Sequence, residues 1–193
     1  MNVYDFDKTV FYPDSSCAFF LYCLKKRPAA VLRVLPGILS ASLRYAFGAI
    51  PTKALKEKLF AFLRYLPEAE ETVGRFWDER FSGVEEWYLA QKRPDDLIVT
   101  ASPAFLVGEA GRRLGVEVIG TRMDIRSGRI EGENCHDEEK VRRFRALYPD
   151  AEIEAFYSDS LSDAPLAELA EKAFLVKKGK LSAWRTEKQT GVD

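Results

Sequence analysis

The chain has 193 residues, of which 47% are apolar and 31% are charged, the composition of a soluble globular protein with enough chain to bury a core. Its 29 Lys and Arg residues against 30 Asp and Glu residues give a net charge of −1, which argues against nucleic acid as a partner and leaves only local charged patches to consider. Cys17, Cys23 and Cys135 are odd in number, have no CxxC spacing and follow no signal peptide, so we expect free thiols in a reducing cytoplasm.

The first predicted element is a short strand that ends in two carboxylates, a lysine and a threonine (MNVYDFDKT, residues 1–9). Because side chains alternate in extended backbone, Asp5 and Asp7 project to one side and Phe6 turns into the protein. A divalent cation, a buried ammonium or a bound proton relieves the repulsion between two such acids. An ordinary turn uses the same residue types, so this motif alone leaves both interpretations open.

The segment 14–93 is predicted to be an all-helical insertion. Asp14, Ser15 and Ser16 can cap a helix that begins at Cys17. Further helices are predicted at 29–35, 38–47, 52–65 and 68–91, with breaks at Pro28, Pro36-Gly37, residues 48–51 and Pro67.

The insertion is also unusual in charge. No acidic residue occurs between Ser15 and Lys56, where the seven basic residues are Lys25, Lys26, Arg27, Arg33, Arg44, Lys53 and Lys56. A membrane-spanning helix over 29–50 is disfavoured because Arg33, Arg44 and Pro36-Gly37 interrupt the apolar run. A helical hairpin that lies on a surface and a set of packed helices with solvated lysines both remain open.

From Pro94 onward, strands and helices alternate. The strand 95–103 ends in the hydroxyls of Thr100 and Ser102, and the helix 104–114 follows it and is closed by Gly115. A hydroxyl followed by a helix N-terminus can bind an anion. The strand 115–120 comes next, and 121–124 with 129–131 are predicted to form a β-hairpin.

The helix 138–148, capped by Asp137, has Lys140 at the edge of an apolar stripe formed by Val141, Phe144, Leu147 and Tyr148. A lysine that points inward needs an anionic partner, whereas a lysine that snorkels at the stripe edge does not.

A further strand, 153–157, leads to Asp159 and Asp163, and a helix at 164–171 and a strand at 173–177 complete the alternation. Alternation of this kind predicts an α/β fold with a doubly wound parallel, Rossmann-like sheet whose ligands bind beyond the carboxyl ends of the strands. The groups expected to meet in that crevice are Asp5, Asp7, Thr100, Lys140, Asp159 and Asp163.

Four stretches in this order resemble the motifs of the haloacid dehalogenase superfamily: residues 5–9 (DFDKT), residues 97–100 (LIVT), Lys140 and residues 159–163 (DSLSD). The helical insertion after the first motif resembles the small cap of the branch that contains phosphoserine phosphatase. Residues 138–141 and 157–160 are similar to a bacterial subgroup in which some members act on phosphatidylglycerophosphate. The resemblance implies a catalytic core at 1–13 and 94–193 and a helical cap at 14–93.

The resemblance also implies roles for individual residues. Asp5 would be the nucleophile that forms an aspartyl phosphate, and Asp7 the general acid and base. Thr100 and Lys140 would stabilise the phosphoryl group, and Thr9 would support the turn that orients Asp7. Thr9 and Ser102 are the further candidates for substrate binding, and Ser102 is an alternative hydroxyl donor because it lies on the same face of the strand end as Thr100. Mg²⁺ would be held by the Asp5 carboxylate, the Asp7 main-chain carbonyl and Asp159, with Asp163 acting through water.

Two departures from the family pattern occur in the later motifs. Ser158 stands where many members have glycine, and His136 stands one turn before Lys140, where phosphoserine phosphatases can carry the motif lysine. The predicted function is a Mg²⁺-dependent phosphomonoester hydrolase. The alternatives are a catalytically idle protein that docks on a membrane or partner, and a phosphomutase.

The substrate class is predicted from the acid-free part of the insertion. Basic and apolar residues on helices are typical of surfaces that bind anionic lipids. We therefore expect a lipid-like or otherwise apolar phosphomonoester, with reversible contact between the insertion and the inner face of the membrane, whereas a small phosphometabolite is the alternative substrate. The sequence does not indicate an oligomeric state.

Overall fold

The computed structural model describes residues 1–184 and contains one six-stranded sheet of order β3-β2-β1-β4-β5-β6. The first five strands are parallel to their neighbours, and β6 is antiparallel to β5. This confirms the predicted parallel α/β sheet. The strands are β1 (Asn2–Tyr4), β2 (Leu97–Pro103), β3 (Glu117–Thr121), β4 (Ile153–Ser158), β5 (Ala170–Lys177) and β6 (Lys180–Ala183).

Side chains of the central strands alternate between two apolar layers, one on each face of the sheet. Val3, Leu97 and Val99 belong to one layer, and Tyr4 and Ile98 to the other. Helices cover both faces, which is why these parallel strands are apolar on both sides. The helices are α1 (Ser15–Lys26), α2 (Pro28–Leu32), α3 (Leu35–Ala46), α4 (Thr52–Leu59), α5 (Ala69–Arg80), α6 (Glu86–Gln91), α7 (Ala104–Leu114), α8 (Glu138–Leu147) and α9 (Ala164–Ala167).

Helices α1 to α6 lie between β1 and β2, in the segment predicted as the helical insertion, but two predicted helices are interrupted. The segment 52–65 is α4 followed by a 3₁₀ helix, Phe60–Tyr65, and the segment 68–91 is α5, a 3₁₀ turn and α6. The second break has a tertiary cause. The Tyr12 N–H donates to the Gly83 carbonyl, and a side chain at Gly83 would overlap Phe11.

The break predicted at Pro36-Gly37 is wrong. Pro36 lies in the first turn of α3, where its missing N–H and fixed φ cost nothing, and the chain turns instead at Arg33 and Val34.

The predictions for the second half are confirmed for α7, with Gly115 in the left-handed region at φ 71°, and for the hairpin, which has one bridge between Met123 and Ile130. The predicted helix 164–171 is wrong in length. Its last two residues already belong to β5, because Ala170 pairs with Ile153 across the sheet and non-local pairing overrides local helix propensity. Strand β6 was not predicted, and residues 185–193 of the predicted core lie outside the described residues.

Two details of α8 also differ from the prediction. Leu147 is 63% exposed and does not belong to the apolar stripe. Asp137 precedes α8, but its side chain contacts the His136 ring and makes no capping hydrogen bond. Across residues 1–184, no helix combines the length and apolarity needed to cross a bilayer.

Candidate active site

A cleft of about 390 Å³ opens at the carboxyl ends of β1, β2 and β4. The core contributes the ends of these strands and the first turn of α8, and the insertion contributes the start of α1 and the end of α4. The lining residues are Asp5, Asp7, Lys8, Asp14, Ser16, Cys17, Lys56, Leu59, Phe60, Thr100, Ala101, Ser102, His136, Lys140, Asp159, Ser160, Ser162 and Asp163. The structure thus brings together the six groups that the sequence placed in one crevice.

Lys140 is the centre of a buried ion cluster. It is 1% exposed, and its Nζ donates to Asp5 Oδ1 at 2.6 Å and to Asp163 Oδ2 at 2.8 Å. Asp5 is fixed in turn by its backbone N–H, which donates to the Tyr157 carbonyl at 2.8 Å. Lys140 therefore points inward, and its partners are the acids of the first and last motifs.

Burial and neighbouring charges oppose each other in this cluster. Burial raises the pKa of Asp5 to about 7, against the pull of the Lys140 ammonium, while Asp163 and Asp7 raise it further. Burial alone would lower the pKa of Lys140, but the charges of Asp5 and Asp163 outweigh it and hold that pKa above the ordinary lysine value. Lys140 therefore keeps its positive charge at neutral pH.

Asp7 is held by hydroxyl and amide donors rather than by a cation. Its Oδ1 accepts the Ser15 N–H at 2.6 Å, and its Oδ2 accepts the Ser102 hydroxyl at 2.5 Å. Burial raises the pKa of Asp7 to about 6, Asp14 adds repulsion, and the bonds from Ser102 and Ser15 lower it. A carboxyl group in this setting can both donate and accept a proton near neutral pH.

The two hydroxyl groups at the end of β2 occupy different positions. Thr100 is buried at the floor of the cleft, and its Oγ1 accepts the Ser102 N–H at 3.1 Å. The Ser102 hydroxyl lies 2.9 Å from Ser16 Oγ as well as contacting Asp7. Both residues line the cleft, so either can contact a bound anion.

Thr9, the other residue predicted to bind substrate, does not line the cleft. It is fully buried, its N–H donates to the Phe6 carbonyl at 3.2 Å, and its hydroxyl has no partner within residues 1–184. From this position Thr9 can support the turn after β1, which is the role that the resemblance implies for Thr9.

The departures from the family pattern have structural roles. The Ser158 hydroxyl donates to Asp163 Oδ2 at 2.6 Å and so helps to orient that carboxylate. His136 lines the cleft, but its ring contacts Asp137 at 2.8 Å and Ser162 at 3.4 Å. Lys140, rather than His136, contacts Asp5 in this structure.

The oxygen donors at the mouth of the cleft fit Mg²⁺. Asp5 Oδ2 and the Asp159 carboxylate accept no hydrogen bond from the described residues, whereas Asp163 Oδ2 is already used by Lys140 and Ser158. Within residues 1–184, no three His, Cys, Asp or Glu side chains cluster as a complete metal cage. Mg²⁺ does not require such a cage, because one or two carboxylates with waters and substrate oxygens suffice.

Sequence reasoning missed the residues with which the insertion closes the cleft. Lys56 on α4 donates to the Ala101 carbonyl at 2.9 Å and to Asn134 Oδ1 at 2.8 Å, and burial lowers its pKa. Leu59 and Phe60 follow it at i+3 and i+4, and this spacing could have identified the face of α4 that points to the core. The contacts of Ser15 and Ser16 had no such signal.

The chain is similar to known proteins in both sequence and fold. A model of the haloacid dehalogenase-like hydrolase family matches residues 3–168. Protein CicA of Caulobacter vibrioides is 30% identical over 195 aligned residues, which cover 92% of this chain and 86% of CicA. A solved structure of a protein with unknown function from Bordetella pertussis Tohama I is 25% identical, with a TM-score of 0.68 over 90% of this chain and 87% of the other.

A phosphoserine phosphohydrolase-like protein from Francisella tularensis shares the fold. It is 17% identical, with a TM-score of 0.56 over 90% of this chain and 86% of its own. These matches extend over the insertion as well as the sheet.

Proposed function

This chain belongs to the haloacid dehalogenase-like hydrolases, and we propose that it is a Mg²⁺-dependent phosphomonoester hydrolase that acts through an aspartyl-phosphate intermediate. The observation that carries the proposal is the contact of Lys140 with Asp5 in a cleft where Asp7 is held beside it by Ser102. Asp5 is thus paired with a buried cation, whereas Asp7, whose pKa is raised to about 6, is held by hydroxyl and amide donors.

The chemistry follows from these positions. A carboxylate oxygen of Asp5 attacks phosphorus, the bond from phosphorus to the ester oxygen breaks, and protonated Asp7 gives its proton to the leaving oxygen. Asp7, now ionised, takes a proton from water as that water attacks the aspartyl phosphate. Inorganic phosphate leaves, and both Asp5 and Asp7 return to their starting states.

The remaining groups stabilise charge on the transferred phosphoryl group. Lys140 and the hydroxyl of Thr100 or Ser102 are fixed donors that need no reorganisation during the reaction. Asp5, Asp159 and the Asp7 carbonyl would hold Mg²⁺, and Asp163 would contact it through water. When bound, the metal would neutralise phosphoryl oxygens that approach the carboxylates.

Two alternatives keep the fold but change the function. A catalytically idle docking protein is disfavoured because each of the four motifs retains a reactive residue type. A phosphomutase uses the same core groups, but no observed feature favours it over a hydrolase. Release of inorganic phosphate from p-nitrophenyl phosphate in the presence of Mg²⁺ separates both alternatives from the proposal.

Replacement of the nucleophile tests the covalent step. We expect Asp5→Asn to abolish turnover and to prevent acid-stable labelling of the protein by a ³²P-labelled substrate, because an amide cannot form the acyl phosphate. The matched control is Asp150→Asn on the exposed loop after α8, which should label and turn over like the unmodified chain. Turnover by Asp5→Asn near the unmodified rate would contradict the mechanism.

The substrate is the second part of the proposal, and we expect a lipid-like or otherwise apolar leaving group. It is supported by Leu59, a partly exposed apolar side chain on the insertion side of the cleft, which lies next to the buried Phe60. The cleft can hold a phosphate with a short head group, so acyl chains would lie outside it.

A substrate panel tests this choice. Lysophosphatidic acid and phosphatidylglycerophosphate should be hydrolysed with at least a tenfold higher kcat/KM than small phosphometabolites, an advantage of about 1.4 kcal/mol. Phosphoserine belongs in the panel because the Francisella protein is described as phosphoserine phosphohydrolase-like. A preference for the small polar phosphoesters would overturn the choice of substrate while leaving the hydrolase intact.

A further inference from the structure

Helix α3 is apolar on two opposite sides. Ile38 and Ala41 are buried on one side of the helix, and α3 packs against α4. Leu39, Leu43 and Phe47 recur every four residues, and at about 100° per residue they form one stripe on the other side of the helix. We call these three residues the outer stripe.

The outer stripe faces solvent. Leu39 is 63% exposed, Leu43 62% and Phe47 80%, which makes Phe47 the most exposed large apolar side chain among the described residues. A surface helix normally places polar residues on this side, and a contiguous apolar patch marks a surface that binds a partner.

The charges near the outer stripe indicate which partner. Three basic residues of the acid-free segment form ion pairs with acidic residues outside that segment. These pairs are Lys26 with Glu79, Arg27 with Glu68 and Lys53 with Glu133. Arg44 on α3 and Arg33, which lies just before α3, form no ion pair with the described residues, and Arg33 lies 5.1 Å from the ring of Tyr65. The local surface is therefore both apolar and positive.

From this combination we propose that the outer stripe docks reversibly on the surface of an anionic lipid bilayer. Exposed Leu and Phe side chains enter the head-group boundary while Lys and Arg contact the anionic head groups. A second copy of this chain fits the stripe less well, because it would bring the same positive charges face to face without acids between them.

The position of α3 connects this surface to the cleft. Helix α4 packs against α3, and its end supplies Lys56, Leu59 and the following Phe60 to the cleft wall. A bilayer beneath the outer stripe would therefore lie one helix away from the reacting groups. This deepens the proposed function by naming the surface that would present a lipid substrate, although docking itself requires no turnover.

Sedimentation with vesicles tests the proposal. The full chain should pellet with phosphatidylglycerol vesicles at low salt, bind at least tenfold less at high salt, and bind weakly to phosphatidylcholine alone. Leu43→Asp should lower binding at least tenfold. The matched control is Leu147→Asp on α8, since Leu147 is 63% exposed and Leu43 62%, and it should bind like the unmodified chain.

Three results would overturn the proposal: no vesicle binding by the unmodified chain, equal loss in Leu43→Asp and Leu147→Asp, or a dimer in solution that Leu43→Asp converts to a monomer. Circular dichroism checks folding, and Leu43→Ser provides a milder change if the aspartate variant unfolds. Hydrolysis of soluble p-nitrophenyl phosphate, measured in parallel, keeps the two proposals separate. If the unmodified chain hydrolyses p-nitrophenyl phosphate but does not bind vesicles, docking is contradicted and the enzyme is not. If it binds vesicles but does not hydrolyse, the enzyme is contradicted and docking is not.

Discussion

Lys140 holds two buried carboxylates with one ammonium, and its removal leaves neither with a cationic partner among the described residues. We expect Lys140→Ala to lower kcat by roughly 10²- to 10³-fold or more, the loss typical of a preorganised charge-stabilising donor. His136→Ala should change kcat little, because His136 contacts Asp137 and Ser162 rather than Asp5. Steady-state kinetics with p-nitrophenyl phosphate would measure both. If His136→Ala lost more activity than Lys140→Ala, His136 rather than Lys140 would be the residue that stabilises the phosphoryl group.

Ser102 lowers the pKa of the carboxyl group that is proposed to act as the general acid. Its hydroxyl donates to Asp7, whose pKa is about 6, and this bond favours the ionised form. Ser102→Ala should therefore raise that pKa further, by about one pH unit for the loss of one charge-assisted bond. Because Asp7 must be protonated to expel the leaving group, kcat/KM falls as pH rises through its pKa, and this falling limb should move to higher pH.

The pH profile of kcat/KM measures the shift for Ser102→Ala. Ser162→Ala is a suitable control, because Ser162 lines the same cleft but contacts Ser160 and His136 instead of Asp7. An unmoved limb in Ser102→Ala would show that Asp7 is not the group that titrates.

At the residue scale, the sequence predicted the groups that lie at strand ends. Asp5 and Asp7 alternate with Phe6 in extended backbone, so their common direction could be deduced locally. Ser15 and Lys56 could not be found in this way. The spacing of Leu59 and Phe60 after Lys56 indicates which face of α4 points to the core. It does not indicate that Lys56 contacts Ala101 and Asn134, and no local pattern indicates that the Ser15 N–H contacts Asp7.

At the element scale, α4 ties the insertion to the hairpin of the core. Glu57 Oε1 accepts the Ile130 N–H at 2.9 Å, Lys53 Nζ donates to the Gly132 carbonyl at 2.5 Å, and Lys56 donates to Asn134. Gly128 approaches the backbone of Phe60 directly after α4. One helix face thus fixes both the cleft wall and the hairpin.

The close approach at Gly128 gives a test of this contact. Gly128 has φ 71°, and a Cβ there would overlap the Phe60 carbonyl, so Gly128→Ala should destabilise the protein through both strain and a steric clash. Gly132→Ala is a matched control. Its φ is 80° and no atom lies within 4 Å of the added Cβ, so only backbone strain of about 1–2 kcal/mol applies. Urea unfolding should show a larger loss for Gly128→Ala, and equal losses would mean that the hairpin moves freely away from Phe60.

Helices whose ends are set by local residues could be predicted from the sequence, and helices whose ends depend on distant contacts could not. Helix α7 was predicted with correct ends because Gly115 stops it locally. The end of α9 was not predicted correctly, because Ala170 belongs to β5 and pairs with Ile153 of β4, which lies 17 positions earlier in the sequence. The break predicted at Pro36 is wrong for a local reason, because proline is harmless in the first turn of a helix. The break at Gly83 was missed because a contact with Phe11, distant in sequence, requires it.

At the scale of the whole molecule, the insertion and the sheet share one apolar cluster. Trp77 of α5 packs at 5.0 Å from the ring of Phe11 and at 5.9 Å from Phe6. Phe60 similarly packs at 6.1 Å from Phe105 on α7. The sequence predicted an insertion over residues 14–93, but the extent of its shared packing with the sheet follows only from the folded chain.

The cleft carries an excess of negative charge, which links metal binding to folding. Five carboxylates and three ammonium groups are found among the described residues that line it, and burial with mutual repulsion raises the pKa values of Asp5 and Asp7. A divalent cation that binds only the folded chain relieves this repulsion and stabilises the fold by mass action. At about 100 times its Kd, Mg²⁺ should add about 2.7 kcal/mol.

For a chain of this length, that stabilisation corresponds to a rise in Tm of roughly 5–10 °C, measured by calorimetry with and without Mg²⁺. Asp159→Asn should lose most of the rise, because Asp159 supplies a carboxylate that accepts no hydrogen bond from the described residues. Asp150→Asn, on the exposed loop after α8, should keep it. A flat Tm in the unmodified chain would remove Mg²⁺ from the proposed mechanism, and an equal rise in Asp159→Asn would place the metal on other ligands.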